Sequence, residues 1–288
     1  MNTLKLILTI LQLLSGLAVT VVVLLQSGKS AGLSGAIAGG AETFLSKGKA
    51  KSLDAKLAKA TKWFAIAFVI LTEIGDMRKL ENPPITGYEF HVLCLVSYCC
   101  PKALILDKLR ETLEEVKTRV PDAKPAHRAR VVVVGSEIDD LDFTRTVEQS
   151  GALIVADRFC FGSFPGRQEI VLNDAEPALD QICRFYQETS QCPRYMSQDK
   201  VHGRYEFVDK LAKEYNAQGI IYEQMKFCEF WGYERALASH VMTELYNYPT
   251  VCVDREYTGN ASGQLRTRVQ AFVESLEIKQ IHKEKGGR

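Results

Sequence analysis

The sequence predicts an α/β protein, a parallel doubly wound sheet, preceded by one or two membrane helices. Three observations carry this reading. An almost unbroken apolar run fills Leu6 to Leu25. Short β-branched runs recur at Arg130 to Gly135, Gly151 to Ala156, Gly219 to Glu223 and Thr250 to Asp254. Segments with helical spacing of apolar residues lie between and after those runs, and strand alternating with helix is the signature of a parallel sheet.

The first run is broken only by Thr9, Gln12, Ser15, Gly16 and Thr20. At ~1.5 Å per residue it is long enough to cross a ~30 Å hydrocarbon layer. It exceeds the ~7 to 15 residue core of a secretory signal, and no small-residue cleavage pattern follows, so it reads as a retained anchor. The connector 26–62 carries Lys29, Lys47, Lys49, Lys51, Lys56, Lys59 and Lys62 against Glu42 and Asp54, which by the positive-inside rule puts it in the cytoplasm. A second apolar segment, Trp63 to Leu71, is about half the length of a span and is closed by Glu73, Asp76, Arg78 and Lys79. It reads either as a truncated crossing or as an interfacial segment anchored by Trp63 and Lys62. The Gly28-Lys29-Ser30 triplet lacks the preceding strand and upstream glycine that a phosphate-binding loop requires.

In the second part, Val131 to Val134 is a buried strand ending in Gly135, and Ser136, Glu137, Asp139 and Asp140 supply caps for a helix through Gln149. Helical patterns also cover Leu179 to Tyr186, Arg204 to Asn216, Glu229 to Tyr246 and Gly263 to Leu276. The expected sheet is Rossmann or flavodoxin-like, and such sheets take ligands outside the carboxyl ends of their strands. The formal charge of +1 gives no pointer to nucleic acid.

Eight cysteines in a chain of this size point to reduced thiols, metal ligands or core packing rather than a disulfide framework. Cys160 follows the second strand and Cys228 the third, each beside an aromatic residue and near a glycine. That placement suits a shared soft metal or cluster held by thiolates, and equally suits cysteines packed near a core. Neither has the close-spaced partner of a structural zinc site. Cys183, among helix-patterned apolar positions, and Cys252, within a strand, read as core. Cys192, in Cys192-Pro193-Arg194, reads as a loop thiol or a bridge near the site. Ser136 is a candidate substrate contact. Arg266 and Arg268 fall in the first turn of the last helix, where they would dock an anion or pair with Glu256 or Asp254.

The amino-terminal residues resemble the SecG subunit of the bacterial preprotein translocase. The likeness covers about 1–72 and rests on the first span, Leu25-Gln26-Ser27-Gly28-Lys29, Gly32-Leu33-Ser34-Gly35-Ala36, Gly39-Gly40-Ala41-Glu42-Thr43 and the lysine-rich approach to a second span. It implies a protein-export subunit at the cell membrane, in contact with the protein-conducting channel.

Residues 74–276 resemble the C-terminal half of the 2-hydroxyacyl-CoA dehydratase D-component family, which includes 2-hydroxyglutaryl-CoA dehydratase and benzoyl-CoA reductase subunits. The motifs are Pro84-Ile85-Thr86-Gly87-Tyr88-Glu89, Val134-Gly135-Ser136-Glu137-Ile138-Asp139-Asp140, Ala156-Asp157-Arg158-Phe159-Cys160-Phe161-Gly162, Lys226-Phe227-Cys228, Glu256-Tyr257, and the segment from Gly263 to Glu274. The resemblance implies radical dehydration or reduction of a CoA thioester by an iron–sulfur cluster of the 4Fe-4S type. One electron comes from an ATP-dependent activator, and a partner dehydratase subunit is required. It also implies Cys160 and Cys228 as cluster ligands. The family draws a further cysteine from an amino-terminal domain whose place here is taken by the translocase-like segment. Cys94, Cys99 or Cys100 would be the substitutes, in a region that resembles the family's inter-domain helices.

The expected organisation is therefore 1–72 as the membrane segment (span 6–25, connector 26–62, short apolar segment 63–71), 73–128 as a helical linker, 129–278 as the α/β domain and 279–288 as a charged tail. The α/β part is expected on the cytoplasmic side of the cell membrane.

Overall fold

The computed structural model describes residues 47–120, 127–164, 173, 176–189, 191–194, 197–256 and 262–286. Side chains are described from residue 62 onward, apart from 178, 186, 262 and 283–286. The expected span 6–25 and most of the connector lie outside the described residues, among which no helix is long and apolar enough to cross a membrane. The chain divides into two compact units, Met1–Ala58 and Lys59–Arg288. Every described side chain belongs to the second.

Its first layer is helical. Helix α1 (Lys47–Asp76) ends in a 3₁₀ turn, Met77–Lys79, and is followed by α2 (Gly87–Cys99) and α3 (Lys102–Thr118). Ala67, Ile70, Leu71 and Ile74 of α1 pack with Phe90 and Cys94 of α2 and Ile105, Leu106, Leu109 and Leu113 of α3 into one apolar cluster. Of the segment Trp63 to Leu71, expected as a truncated crossing or an interfacial segment, Ala67, Phe68, Ile70 and Leu71 are buried in the protein, Trp63 is partly buried, and Ile66 and Val69 are exposed. Nine apolar residues are too few to span a bilayer, yet two and a half turns of helix are enough to set one stripe against a protein core. Of the expected linker 73–128, the described residues Ile74, Phe90, Cys94, Ile105, Leu106, Leu109, Leu113 and Val116 join this same cluster.

The second layer is a four-stranded parallel sheet, β1 (Ala129–Val134), β2 (Ala152–Arg158), β3 (Gly219–Met225) and β4 (Thr250–Arg255), in the order β2-β1-β3-β4. Helices α4 (Leu141–Gln149), α5 (Ala178–Thr189), α6 (Gln198–Glu214), α7 (Glu229–Glu244) and α8 (Ser262–Gly286) make up the rest. Strand residues alternate between faces as a pleated sheet requires. Val131, Val133, Ile154 and Ile221 meet Phe143 and Val147 of α4 and Val269, Phe272 and Val273 of α8. Val132, Val134, Ile220 and Tyr222 meet Tyr205, Val208 and Leu211 of α6 and Trp231 and Met242 of α7. Both faces are covered, so the strands read as continuous apolar runs rather than as alternating ones. The register between β1 and β2 shifts by one residue between Val131 and Val132.

All four expected strands are present, and the helices match within a few residues except that α6, expected from Arg204, begins at Gln198, and at the end of the chain. Helix α8 runs on to Gly286, so the expected charged tail is mostly helix.

The helical layer is fixed to the sheet at the start of α2. Thr86 and Glu89 form a reciprocal cap, Glu89 N donating to Thr86 Oγ1 at 3.1 Å and Thr86 N to Glu89 Oε2 at 2.8 Å. Glu148 of α4 reaches the same turn and accepts from Gly87 N at 2.8 Å, Tyr88 N at 3.1 Å and Ile154 N at 3.2 Å. Burial holds the Glu148 carboxyl above its usual range despite these donors. Gly87 is required there, since a Cβ would stand 2.4 Å from Ile154 Cβ.

Candidate active site

In the order β2-β1-β3-β4, the connection from β1 leads to β2 at one edge of the sheet and the connection from β3 to β4 at the other, and the carboxyl ends of β1 and β3 flank the crevice where that reversal occurs. Ser136 sits at this point, just past β1. Its N–H and hydroxyl both donate to Glu223 Oε2, at 2.9 and 2.8 Å, and its Oγ accepts from Met225 N at 2.7 Å. Its carbonyl accepts from Cys160 N at 3.1 Å. Ser136 is buried and all its polar groups are engaged, so the structure makes it the tie between the two cysteine-bearing loops rather than an open contact for substrate.

Glu223 is fully buried and also accepts from Arg255 Nε at 3.1 Å. Burial raises its pKa, opposed by the Ser136 donors and the Arg255 charge. Gly135 leaves room for this carboxylate, for a Cβ there would lie 2.7 Å from Glu223 Oε2.

The loop after β2 is anchored by charge. Asp157 Oδ2 accepts from Arg78 Nη1 at 3.2 Å, with both side chains nearly excluded from solvent, and Asp157 Oδ1 accepts from Ser163 N at 2.6 Å. Phe159 packs edge-on against His91 at 5.0 Å between ring centroids. His91 Nε2 lies 3.1 Å from Ile138 O and Nδ1 3.2 Å from Thr144 Oγ1. Burial lowers the His91 pKa, and the carbonyl partner places the proton of the neutral ring on Nε2. The next residue, Arg158, turns to the other side of the sheet. It approaches Glu234 at 3.6 Å, lies over Trp231, and donates to Gln191 O. Glu234 is held in turn by Arg204 through contacts of 2.9 and 2.8 Å.

Cys160 reaches the surface, yet the protein around it penalises a thiolate and pushes its pKa up to about 11. Charges on Cys192, Glu137, Cys228 and Glu223 add to that rise, in that order. The structure therefore brings Cys160 and Cys228 to one neighbourhood and adds Cys192, whose proximity no spacing in the sequence reveals. Cys183 is exposed on α5 rather than packed in the core, whereas Cys252 lies partly buried against the α6–α7 side of the sheet. Cys94 is enclosed in the helical layer, and Cys99 and Cys100 close α2; none of the three is among the charges felt by Cys160. Among the described residues, no three or more His, Cys, Asp or Glu side chains already stand in an arrangement that holds a metal ion. As a donor set, thiols on neighbouring loops suit iron and sulfide.

Arg268 lines a cavity of about 250 Å³ with Lys226, Val253, Asp254, Glu256, Gln264 and Leu265. Glu256 and Asp254 are taken by Lys226 and Arg235, not by Arg266 or Arg268. Arg266 is exposed outside this lining.

Comparison with known proteins matches residues 49–276 to the 2-hydroxyglutaryl-CoA dehydratase D-component and residues 5–75 to the preprotein translocase SecG subunit. The chain belongs to both families. Over 227 residues it is 28% identical to the (R)-phenyllactyl-CoA dehydratase beta subunit of Clostridium sporogenes, covering 78% of this chain and 58% of that one. Over 66 residues it is 52% identical to the "Probable protein-export membrane protein SecG" of Bacillus subtilis, covering 23% of this chain and 86% of that one. The D-component part thus spans little more than half the length of the curated dehydratase relative. The two matches overlap on 49–75, within α1.

Proposed function

We propose that the chain is a membrane-tethered, dehydratase-type subunit that acts on a 2-hydroxyacyl-CoA thioester only together with a partner dehydratase subunit and an ATP-dependent activator. The observation that carries this is the meeting of the Cys160 and Cys228 loops at the reversal point of the sheet, tied through Ser136, in a chain of D-component ancestry. Cys160 and Cys228 would hold the iron–sulfur cluster, which when bound supplies one-electron transfer to the thioester. The chain's own residues position and enclose. Ser136 fixes the spacing of the two loops, Asp157 and Arg78 keep the first loop in place, and Arg268, at the cavity whose other cation, Lys226, is taken by Glu256, offers charge to the phosphates or carboxylate of a CoA thioester. The SecG-like residues would anchor the chain in the cell membrane with the α/β part on the cytoplasmic side.

Anaerobic assay of the purified chain with its activator and ATP, against several 2-hydroxyacyl-CoA thioesters, tests this reading. The expected outcome is no turnover alone and enoyl-CoA formation once a partner subunit is added. An enzyme-like rate from the chain alone would overturn the requirement for a partner. No turnover with the partner, and no iron retained, would overturn the dehydratase role. A reporter fused after Arg288 that is active only outside the cytoplasm would overturn the topology.

The second reading, a translocase accessory subunit, is favoured by the 52% identity confined to the amino-terminal residues. Restoration of export by residues 1–75 in cells lacking SecG, with the α/β part dispensable, would select it.

A further inference from the structure

The two edges of the sheet are finished differently. At the β2 edge all seven strand residues are buried, Ile154 N donates to Glu148 Oε1 at 3.2 Å, and the start of α2 packs so closely on Ile154 that Gly87 has no room for a Cβ. The ladder from β2 to β1 is also irregular. At the β4 edge only Val253 and Arg255 are buried. The six residues Thr250–Arg255 pair with β3 in unbroken register and include no Pro, no Lys and no bulge, the devices that blunt an open edge.

The ladder also fixes which backbone groups face out. Pro249 O accepts from Ile220 N at 3.0 Å and Arg255 O from Lys226 N at 2.9 Å, so residues 249 and 255 turn their polar groups toward β3. Alternation puts 251 and 253 with them and turns the N–H and C=O of Thr250, Cys252 and Asp254 outward. Among the described residues these outward groups have no hydrogen-bond partner.

We infer that the outer edge of β4 pairs antiparallel with β4 of a second copy of this chain, about a twofold axis at Cys252, joining the two sheets into one. The outward set is symmetric about Cys252, as a contact between identical surfaces requires. With Cys252 opposite its own copy, Thr250 falls opposite Asp254, and all three residues bond in both directions. A centre at Val251 or Val253 leaves one end of the set unpaired. No like charges face each other, and Asp254 is already held by Arg235. The contact lies away from the cysteine loops and does not depend on the cluster.

Directly opposed, hydrogen-bonded residues of an antiparallel pair have Cα atoms ~5.5 Å apart, inside the ~4.4–6.8 Å that a disulfide spans. Light scattering of the full chain in detergent at micromolar concentration should therefore give a dimer. Oxidation catalysed by copper phenanthroline should yield a Cys252–Cys252 linked peptide by mass spectrometry, and a band at twice the mass that Cys252→Ser loses. Thr250→Glu sets a second carboxylate opposite Asp254 at two symmetric positions and should raise the dimer dissociation constant about tenfold. Thr250→Lys, at the same position, should leave the dimer intact or tighten it, so the sign of the charge separates the contact from a folding defect. If both substitutions unfold the chain, the mass and the link in the wild type decide. A monomer would overturn the inference. So would a dimer without the Cys252–Cys252 link, which would place the contact in the amino-terminal residues or on another face.

Discussion

The loop after β2 and the loop after β3 present their cysteines to the same crevice but are held by different forces. Around Cys160, a buried Asp157–Arg78 pair, a 2.6 Å bond from Ser163 N to Asp157 and the Phe159–His91 contact fix the chain from three directions. Around Cys228 the hydrogen bonds of the cysteine's own backbone are local. Cys228 N donates to Met225 O at 3.0 Å and Gln224 Nε2 to Cys228 O at 3.2 Å. Phe227, between Met225 and Cys228, is 97% exposed and takes φ +69°, a conformation an aromatic residue rarely adopts. One loop is set by buried charge that the fold has already neutralised, and the other by backbone turns that keep strain in place. Ser136 couples them, so a disturbance on the rigid side should be felt on the strained side.

The strongest test of this contrast is Asp157→Ala. It leaves Arg78 buried without its carboxylate and should cost about 3–5 kcal/mol, read by chemical denaturation, with accelerated amide exchange at Cys160. Equal acceleration at Cys228 would show one shared unit rather than two. Glu223→Gln should cost about 1.5–3 kcal/mol, since Arg255 loses a charged partner and an amide that keeps its one oxygen on the two Ser136 donors turns an NH2 toward Arg255 Nε. Here both loops should loosen together, because Glu223 holds the serine that joins them. Phe227→Gly should have the opposite sign, stabilising the chain by up to about 1 kcal/mol through relief of the left-handed backbone, as a higher thermal midpoint. A loss of stability there would mean that the phenylalanine ring is worth more than the strain. The smallest effect is expected from pH. Burial holds the His91 pKa below the ordinary 6.5, so its contribution is fully present above that value and is lost as the pH falls below it. Amide exchange near Phe159, corrected for intrinsic rates, should rise between pH 7 and pH 5 in the wild type and change less in His91→Gln.

Much of the sheet was legible because parallel strands buried on both faces must be apolar throughout, and Val131 to Val134 or Ala152 to Val155 have few other uses. The cysteine positions followed from strand ends. The sequence did not reveal what connects them. The Ser136–Glu223 bond joins residues 87 apart, and the bond from Arg158 to Gln191 O joins residues 33 apart. A signal was nonetheless present, for Asp157, Arg158 and Glu223 are charges inside otherwise apolar strands, and a buried charge needs a partner. Trp63 to Leu71 was ambiguous for a different reason. A bilayer and a protein core ask for the same side chains, and only length separates them. The family matches overlap on that very stretch, which serves as core for the helical layer.

The one-residue shift between β1 and β2 sets the parity of everything beyond it. Val155 and Ala156 are neighbours in sequence yet both pack on the α6–α7 side, so the extra residue reverses the alternation for Asp157 and Arg158. Arg158 consequently faces Glu234 while Asp157 faces Arg78. Removing Val155 or Ala156 would heal the irregularity and leave Asp157 and Arg158 on the faces they now hold, whereas a regular ladder that kept every residue would exchange them, turning the aspartate toward Glu234 and the arginine toward Arg78. Two attractive pairs then become two frustrated ones without any change in composition. The fold's charge pattern depends on the extra residue as much as on the charges themselves.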